Sequence, residues 1–219
     1  MIKAIAFDFD GTVMDTSSGI FETARHTAKA LGWDKELISP IEKFVGPPLY
    51  DCFRIVFGWD REMCEKAVSI YRPYYREKGM FKGTFYPGML ETLTRLRERG
   101  YKTAIATMKF DALIHEMGQH FGFTSYFDVI KGTDSTSKMT KAQILGFIAS
   151  ELGVKPEEMV LVGDTMVDYE GAREAGMPFI GALYGFGLDD DEISSLDKGT
   201  CMALIESPAD LLNQVKRSE

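Results

Sequence analysis

Two aspartates stand two residues apart, directly after an apolar stretch near the start of the chain. Residues 4–7 read Ala-Ile-Ala-Phe, and Asp8, Phe9, Asp10 and Gly11 follow. A short apolar run that ends in charged residues and a glycine is typical of a buried strand stopping at a sheet edge. Alternate residues of a strand point to the same side, so the two carboxylates repel unless a cation or a shared proton lies between them. Mg²⁺ prefers such oxygen ligands, and the amides of the turn could face a phosphate.

A second pair of carboxylates follows another apolar stretch. Asp164 comes directly after residues 160–163, Val-Leu-Val-Gly, and Asp168 follows four residues later. Asp is favoured at helix starts, so this pair could simply cap a helix. Two carboxylate pairs at the ends of two predicted strands nevertheless indicate one shared site, because parallel strands end at the same edge of a sheet.

Two further side chains could act on a phosphate. Thr107 follows the apolar residues 104–106, and its hydroxyl could donate to a phosphate oxygen, although threonine is also common in ordinary strands. Lys141 opens a predicted helix, where its ammonium could reach the sheet edge or could simply lie in solvent. Lys138 is the rival for the same role.

The order of these residues resembles the four motifs of the haloacid dehalogenase-like phosphohydrolases. The first is Asp8–Thr16, DFDGTVMDT, and the last is Gly163-Asp164-x-x-x-Asp168. By this resemblance the catalytic residues are Asp8, Asp10, Thr107 and Lys141. The substrate and phosphate ligands are Phe9, Gly11, Thr107, Met108, Lys141, Gly46, Pro47 and Arg54. The Mg²⁺ ligands are Asp8, Asp10, Asp164 and Asp168.

The resemblance also implies a role for each aspartate of the first pair. Asp8 would be the nucleophile that accepts a phosphoryl group as an aspartyl-phosphate. Asp10 would be the general acid and base. Dehalogenases of the superfamily lack the second aspartate, so Asp10 favours phosphorus chemistry over carbon–halogen chemistry.

The pattern of helices and strands predicts the fold class. Residues 16–82 have helical periodicity, whereas strands alternate with helices from Pro87 onward. We therefore predict a doubly wound α/β core with a parallel sheet, residues 1–15 and 83–219, and an inserted all-helical cap, residues 16–82. The cap loop at Gly46 and Pro47 resembles a substrate loop of phosphoglycolate phosphatase-like enzymes.

Composition limits the partners. The chain has 219 residues, 45% of them hydrophobic, and a formal charge of −8, which is ordinary for a globular protein and offers no basic surface for nucleic acid or anionic membrane. No long apolar segment or cleavable leader is visible, and the three cysteines lack metal-site spacing. We expect a cytoplasmic monomer or homodimer with a small phosphorylated metabolite as its partner.

These observations predict a Mg²⁺-dependent phosphatase of a small phosphate monoester. Phosphoglycolate-like acids, nucleotides and sugar phosphates all remain open as substrates. A phosphosugar mutase would share every motif, and an inactive binding module could retain the fold without turnover.

Overall fold

The structure is a computed structural model that describes residues 1–33, 35, 40–45, 48–134 and 139–215. Two compact units divide the chain. The larger comprises Met1–Met14 with Phe85–Glu219, and the smaller is Asp15–Thr84. The smaller unit is thus inserted into the larger soon after the first aspartate pair.

The larger unit is built on a six-stranded sheet. The strands of the chain are β1 (Ala4–Phe7), β2 (Met14–Asp15), β3 (Thr84–Phe85), β4 (Lys102–Phe110), β5 (Val129–Thr133), β6 (Met159–Gly163), β7 (Phe179–Ala182) and β8 (Cys201–Ile205). The sheet has the order β5-β4-β1-β6-β7-β8, and every adjacent pair is parallel. Strands β2 and β3 form a separate two-stranded sheet.

Helices connect these strands and also form the smaller unit. The smaller unit contains α1 (Ser17–Ala30), α2 (Leu49–Phe57) and α3 (Arg61–Glu77). The larger contains α4 (Met89–Glu98), α5 (Asp111–Phe121), α6 (Lys141–Leu152), α7 (Met166–Glu174), α8 (Asp190–Ser195) and α9 (Leu211–Gln214). The predicted fold class, a doubly wound parallel sheet, is confirmed.

The central strands are buried on both faces, which explains their unbroken apolar sequences. Every residue of β1 and of β6 is buried. Parallel strands covered by helices on both faces read as continuous apolar runs, without the alternation of a half-exposed strand. On one face the small residues Ala4, Ala6 and Ala106 pack in a core cluster with Ile144 of α6. Small side chains let a helix approach a sheet closely, so the start of α6 lies near the strand ends.

The smaller unit has an aromatic core. Phe53 packs against Phe44, Trp59 and Tyr71, with ring centroids 4.9 to 5.9 Å apart. The regular structure of its described residues between 16 and 83 is helical. The sequence predicts a kink or a break at Pro73. Helix α3 runs from Arg61 to Glu77 without a break, and the kink stays a prediction. Burial of aromatic residues on both sides of Pro73, such as Tyr71, outweighs the loss of one backbone hydrogen bond.

Several elements of the larger unit differ from the pattern expected from sequence. Strand β4 continues past Ala106 to Phe110, with an irregularity in its pairing to β5 between those residues. The sequence pattern predicts a helix from Tyr169 to Ala175, but α7 begins at Met166, because Thr165 takes the N-cap position and pairs reciprocally with Asp168. Strand β8 was not predicted. Among the described residues, no helix combines the length and apolar character needed to span a bilayer.

Candidate active site

The predicted catalytic side chains meet at the carboxyl edge of the sheet. Asp8 directly follows β1, and Asp164 directly follows β6, the neighbouring strand. The Asp8 amide donates to the Val162 carbonyl at 2.8 Å, so the pairing of the two strands extends to the site itself. Lys141 is the first residue of α6, and Asp168 lies in the first turn of α7. Residues far apart in sequence are therefore brought together by the sheet order.

Lys141 joins the two aspartate pairs. Its Nζ lies 2.6 Å from Asp8 Oδ1 and 2.6 Å from Asp168 Oδ1, and it donates to the Ala106 carbonyl at 2.8 Å. An ammonium has three N–H donors, and each has an acceptor here. Burial opposes a charged ammonium, but Asp168 and Asp8 outweigh burial and raise the pKa of Lys141 above its usual range. Lys141 is therefore a fixed positive charge between two carboxylates.

Asp8, Asp164 and Asp168 form a buried cluster of three carboxylates. Each offers one oxygen, and these oxygens all lie within 4.8 Å of one another. Asp164 is held by two further donors, the Thr12 hydroxyl at 2.9 Å and the Phe186 amide at 2.9 Å. Three carboxylates and one lysine leave two negative charges in excess. The atoms that could ligate a cation are all carboxylate oxygens, which are hard ligands. This set fits a divalent cation such as Mg²⁺, which the haloacid dehalogenase resemblance implies.

Burial and like charges shift the acidity of the cluster. Burial raises the pKa of Asp8; Lys141 opposes this shift, whereas Asp168 and Asp10 add to it. Burial also raises the pKa of Asp164 well above its usual value, with Asp168 and Asp8 acting in the same direction. Without a cation Asp8 therefore takes up a proton near neutral pH, and a bound cation would displace it.

A pH dependence of stability follows for the metal-free protein. The pKa of Asp8 rises from 3.8 to about 7 on folding, so the folded state binds more protons than the unfolded state between these values. Stability must therefore fall as pH rises through this window, by on the order of 2 kcal/mol between about pH 5.5 and 7.5. Urea unfolding in the presence of a chelator measures this change. Saturating Mg²⁺ should flatten the slope, and an unfolding free energy that rises with pH would contradict the prediction.

Two glycines allow the close approaches that the cluster needs. Gly11 has φ +89°, a backbone conformation that L side chains rarely adopt, and a Cβ there would lie 2.7 Å from Asp164 Cγ. A Cβ on Gly171 of α7 would lie 2.6 Å from Lys141 Cβ. Both distances are shorter than normal carbon contacts, so each glycine makes room for a charged side chain of the site.

Substitution of Gly171 by Ala is expected to lower stability and turnover together. The new methyl group would push Lys141 away from Asp8, and overpacking costs roughly 1–3 kcal/mol. Gly146 is the matched control, because it lies in α6 with open space around its Cβ position. Gly146→Ala should raise the unfolding free energy by about 0.5–1 kcal/mol through helix propensity. Equal effects of the two substitutions in thermal or urea unfolding would contradict this account.

Asp10 lies outside the three-carboxylate cluster found among the described residues. Its Oδ2 lies 3.1 Å from Nζ of Lys109, at the end of β4. Thr107 is buried, and its hydroxyl accepts a hydrogen bond from the Lys109 amide at 3.1 Å. The structure thus brings Asp10 and Thr107 to the same strand ends as Asp8, while the Asp10 carboxylate contacts a lysine. Its role as a Mg²⁺ ligand stays a prediction.

The other predicted ligands lie in varied surroundings. Phe9 is buried and its ring packs on Phe123 with centroids 5.2 Å apart, while the Gly11 amide donates to the Met14 carbonyl at 2.9 Å within the turn. Met108 is half-buried beside the core cluster. Arg54 lies on α2 of the smaller unit, 3.4 Å from Asp51. The predicted ligands Gly46 and Pro47, and the rival lysine Lys138, lie outside the described residues.

Comparison with known proteins agrees with this geometry. The family profile described as "Haloacid dehalogenase-like hydrolase" matches residues 5–182, which span the strand ends and the carboxylate cluster. The chain belongs to the haloacid dehalogenase-like hydrolases. The family predicted from the sequence motifs is thereby confirmed.

Relatives and solved structures of the family cover most of the chain. A 5'-nucleotidase from Pseudomonas aeruginosa is 33% identical over 188 residues, 85% of each chain. A phosphoglycolate phosphatase from Vibrio parahaemolyticus is 28% identical and covers 84% of this chain and 85% of its own. A haloacid dehalogenase-like hydrolase from Streptococcus pneumoniae has a solved structure with a TM-score of 0.88, 30% identity and 97% coverage of each chain.

Several groups of the site were not predicted from sequence. Thr12 and the Phe186 amide hold Asp164, Gly171 accommodates Lys141, and Lys109 contacts Asp10. Lys109 carried a sequence signal, because it stands two residues after Thr107 near the end of the same strand. The others depend on contacts between elements that no local pattern reveals.

Proposed function

We propose that this hydrolase is a Mg²⁺-dependent phosphatase that cleaves a small phosphate monoester through an aspartyl-phosphate on Asp8. The observation that carries the proposal is the buried cluster of Asp8, Asp164 and Asp168, in which Asp8 and Asp168 pair with Lys141. Such a cluster concentrates negative charge around the carboxylate that would attack an anionic phosphate. A cation such as Mg²⁺ would offset this charge. The names of the relatives support phosphatase chemistry, since they include a 5'-nucleotidase and a phosphoglycolate phosphatase.

The first chemical step would transfer the phosphoryl group to Asp8. An oxygen of the Asp8 carboxylate attacks phosphorus, the bond from phosphorus to the ester oxygen breaks, and Asp10 gives a proton to the departing oxygen. Lys141 holds Asp8 in place and offsets the negative charge that gathers around the phosphoryl group. Thr107, at the end of the neighbouring strand, would donate its hydroxyl proton to a phosphate oxygen.

The second step would release phosphate. Asp10, now a carboxylate, takes a proton from water, whose oxygen attacks phosphorus, and the bond from phosphorus to Asp8 breaks. Asp8 returns as a carboxylate and Asp10 as an acid, so the two steps together consume one water. Asp8, Asp164 and Asp168 would hold the Mg²⁺, with Asp10 also a predicted ligand. The ion would neutralise charge on the phosphoryl oxygens and help to orient them.

We propose that the smaller unit selects the substrate. It is inserted into the larger unit soon after the turn that carries Asp8 and Asp10. Its candidate substrate ligands are Gly46, Pro47 and Arg54. Phosphoglycolate-like acids, nucleotides and sugar phosphates are the substrate classes consistent with the relatives and the motifs.

We also propose a cytoplasmic location. Cys64 and Cys201 are free thiols in the structure, and Cys52 and Cys64 are buried. Burial raises the pKa of the Cys52 thiol to about 12, so this cysteine is unreactive near neutral pH. Free cysteines of this kind are typical of proteins in a reducing compartment.

Phosphate release from a panel of esters tests the proposed function. The panel contains phosphoglycolate, nucleoside 5'-monophosphates, hexose phosphates and p-nitrophenyl phosphate, each with Mg²⁺ and with a chelator. We expect phosphate release with Mg²⁺, loss of release with the chelator, and recovery when Mg²⁺ is added again. Conversion of a hexose phosphate to its isomer without free phosphate would indicate a mutase instead. No reaction with any ester would contradict the proposal.

A further inference from the structure

The two aspartates of the first pair contact different lysines. Asp8 pairs with Lys141 from the start of α6 at 2.6 Å, and Asp10 pairs with Lys109 from the end of β4 at 3.1 Å. Asp8 belongs to the carboxylate cluster, whereas Asp10 does not. Both aspartates follow the end of β1 at Phe7 and lie two positions apart in the chain. The different lysine partners therefore place the chemically identical carboxylates of Asp8 and Asp10 in different surroundings.

The pair of Asp10 and Lys109 is not an ordinary surface ion pair. Their side chains are only 17% and 7% exposed. Burying an ammonium costs free energy unless a carboxylate and hydrogen-bond acceptors surround it, so a lysine this buried is rare without a specific partner. Exposed ion pairs, in contrast, contribute little to stability and leave both side chains mobile. The carboxylate of Asp10 is thus held in one place.

The backbone that carries Lys109 is itself fixed. Its amide donates to the Thr107 hydroxyl at 3.1 Å, and Gly132 of β5 packs so closely against the Lys109 carbonyl that a Cβ there would overlap it. A Cβ on Gly132 would also lie 2.8 Å from Asp111 Cα. Both the amide and the carbonyl of Lys109 are therefore in contact with other residues. These contacts fix the backbone from which the Lys109 side chain extends.

We propose that Lys109 is a positioning residue for Asp10. It holds the Asp10 carboxylate outside the cluster of Asp8, Asp164 and Asp168 and keeps it available for proton transfer. On this inference the Asp10 carboxylate is the acid and base of the reaction and not the Mg²⁺ ligand that the motifs predict. This inference rests on the proposed function, because it concerns the general acid and base of that reaction. The sequence motifs assign no role in the reaction to Lys109.

The two chemical steps should depend differently on this positioning. A leaving group of low basicity, such as p-nitrophenolate, departs without a proton, so transfer to Asp8 does not need a well-placed Asp10. Attack by water does need Asp10, because a proton must leave the water as its oxygen bonds to phosphorus. Misplacing Asp10 should therefore slow the second step and let the aspartyl-phosphate accumulate.

Lys109→Met tests the proposal, with Lys109→Arg as the conservative variant. The matched control is Lys131→Met, because Lys131 is also a partly buried lysine of the larger unit and pairs with Asp111 at 3.3 Å. Each variant is given p-nitrophenyl phosphate with Mg²⁺. Steady-state kinetics give kcat and KM, intact mass spectrometry after rapid acid quenching gives the phosphorylated fraction, and thermal unfolding verifies the fold.

For Lys109→Met we expect kcat to fall by roughly 10- to 100-fold, part of the ~10²–10⁴-fold that general acid–base catalysis supplies. We expect KM to fall in the same proportion, because kcat/KM reports the unaffected first step, and the phosphorylated fraction to rise above that of wild type. Lys109→Arg should recover part of the kcat, and Lys131→Met should match wild type in all three measurements.

Three results would overturn the role of Lys109. A higher KM with unchanged kcat would make it a substrate ligand. A wild-type kcat in Lys109→Met would show that Asp10 is placed without it, and a lower kcat without accumulated phosphoenzyme would put the defect in the first step. Failure of the wild-type protein to release phosphate from any ester would instead contradict the proposed function itself, and the role of Lys109 with it.

Discussion

Replacement of Asp8 by Asn is expected to abolish phosphate release while the protein remains folded. An amide oxygen cannot form the aspartyl-phosphate, so kcat should fall by at least about 10⁴-fold, as expected when a covalent nucleophile is removed. The substitution also removes one of three clustered negative charges. Each like-charged pair at ~4 Å costs roughly 4 kcal/mol at an effective dielectric constant of about 20, which offsets the lost ion pair with Lys141. Stability should therefore change little.

Phosphate release and urea unfolding measure the two effects in the same preparation. Asp190→Asn is the control, because Asp190 is an exposed residue in the first turn of α8 and lies outside the candidate site. It should retain wild-type kcat. Steady turnover by Asp8→Asn near the wild-type rate would rule out Asp8 as the nucleophile.

Replacement of Lys141 by Met is expected to cost both stability and turnover. The ammonium is 3% exposed and lies between Asp8 and Asp168. Its removal leaves two buried carboxylates without their shared cation, and breaking a buried ion pair in this way costs about 3–5 kcal/mol. Phosphate release should be lost as well, because nothing then holds Asp8 or offsets the charge of the phosphoryl group.

The loss of stability in Lys141→Met should depend on pH and on Mg²⁺. The pKa of Asp8 is about 7 beside Lys141, which lowers it, so without the lysine this carboxylate takes up its proton at higher pH, and the difference from wild type should shrink as the pH is lowered toward about 7. Saturating Mg²⁺ should also restore part of the stability, because it binds the folded state alone.

Lys66→Met is the matched control for an exposed ion pair. Lys66 pairs with Glu62 at 2.8 Å, but its side chain is 59% exposed. Its loss should cost less than about 1 kcal/mol. Urea unfolding that shows equal losses for Lys66→Met and Lys141→Met would contradict the assignment of Lys141 as the central cation of the site.

The sequence predicted the strand ends of the site because the central strands are buried on both faces. Such strands are continuous apolar runs, and Asp8 and Asp164 follow two of them directly. The choice between Lys138 and Lys141 could not be made from sequence. Contacts of Lys141 with Asp8 and Asp168 depend on the packing of α6 beside α7, through Gly171, and no local pattern contains that packing.

Strand β8 was missed for a different reason. It lies at the edge of the sheet, and its sequence, Cys-Met-Ala-Leu-Ile, contains one β-branched residue among good helix formers. Met202 and Leu204 are 48% and 37% exposed, so burial does not mark the strand either. Pairing with β7 decides its conformation, and this is a tertiary effect.

The position of β1 in the sheet has a consequence for biosynthesis. This strand precedes both of its partners in the chain, β4 at Lys102–Phe110 and β6 at Met159–Gly163. During synthesis Asp8 and Asp10 therefore stay unsheltered until β6 has been made, whereas Asp15–Thr84 can condense earlier from its own contacts. A truncated product that ends before β6 should thus be recognised by proteases as unfinished.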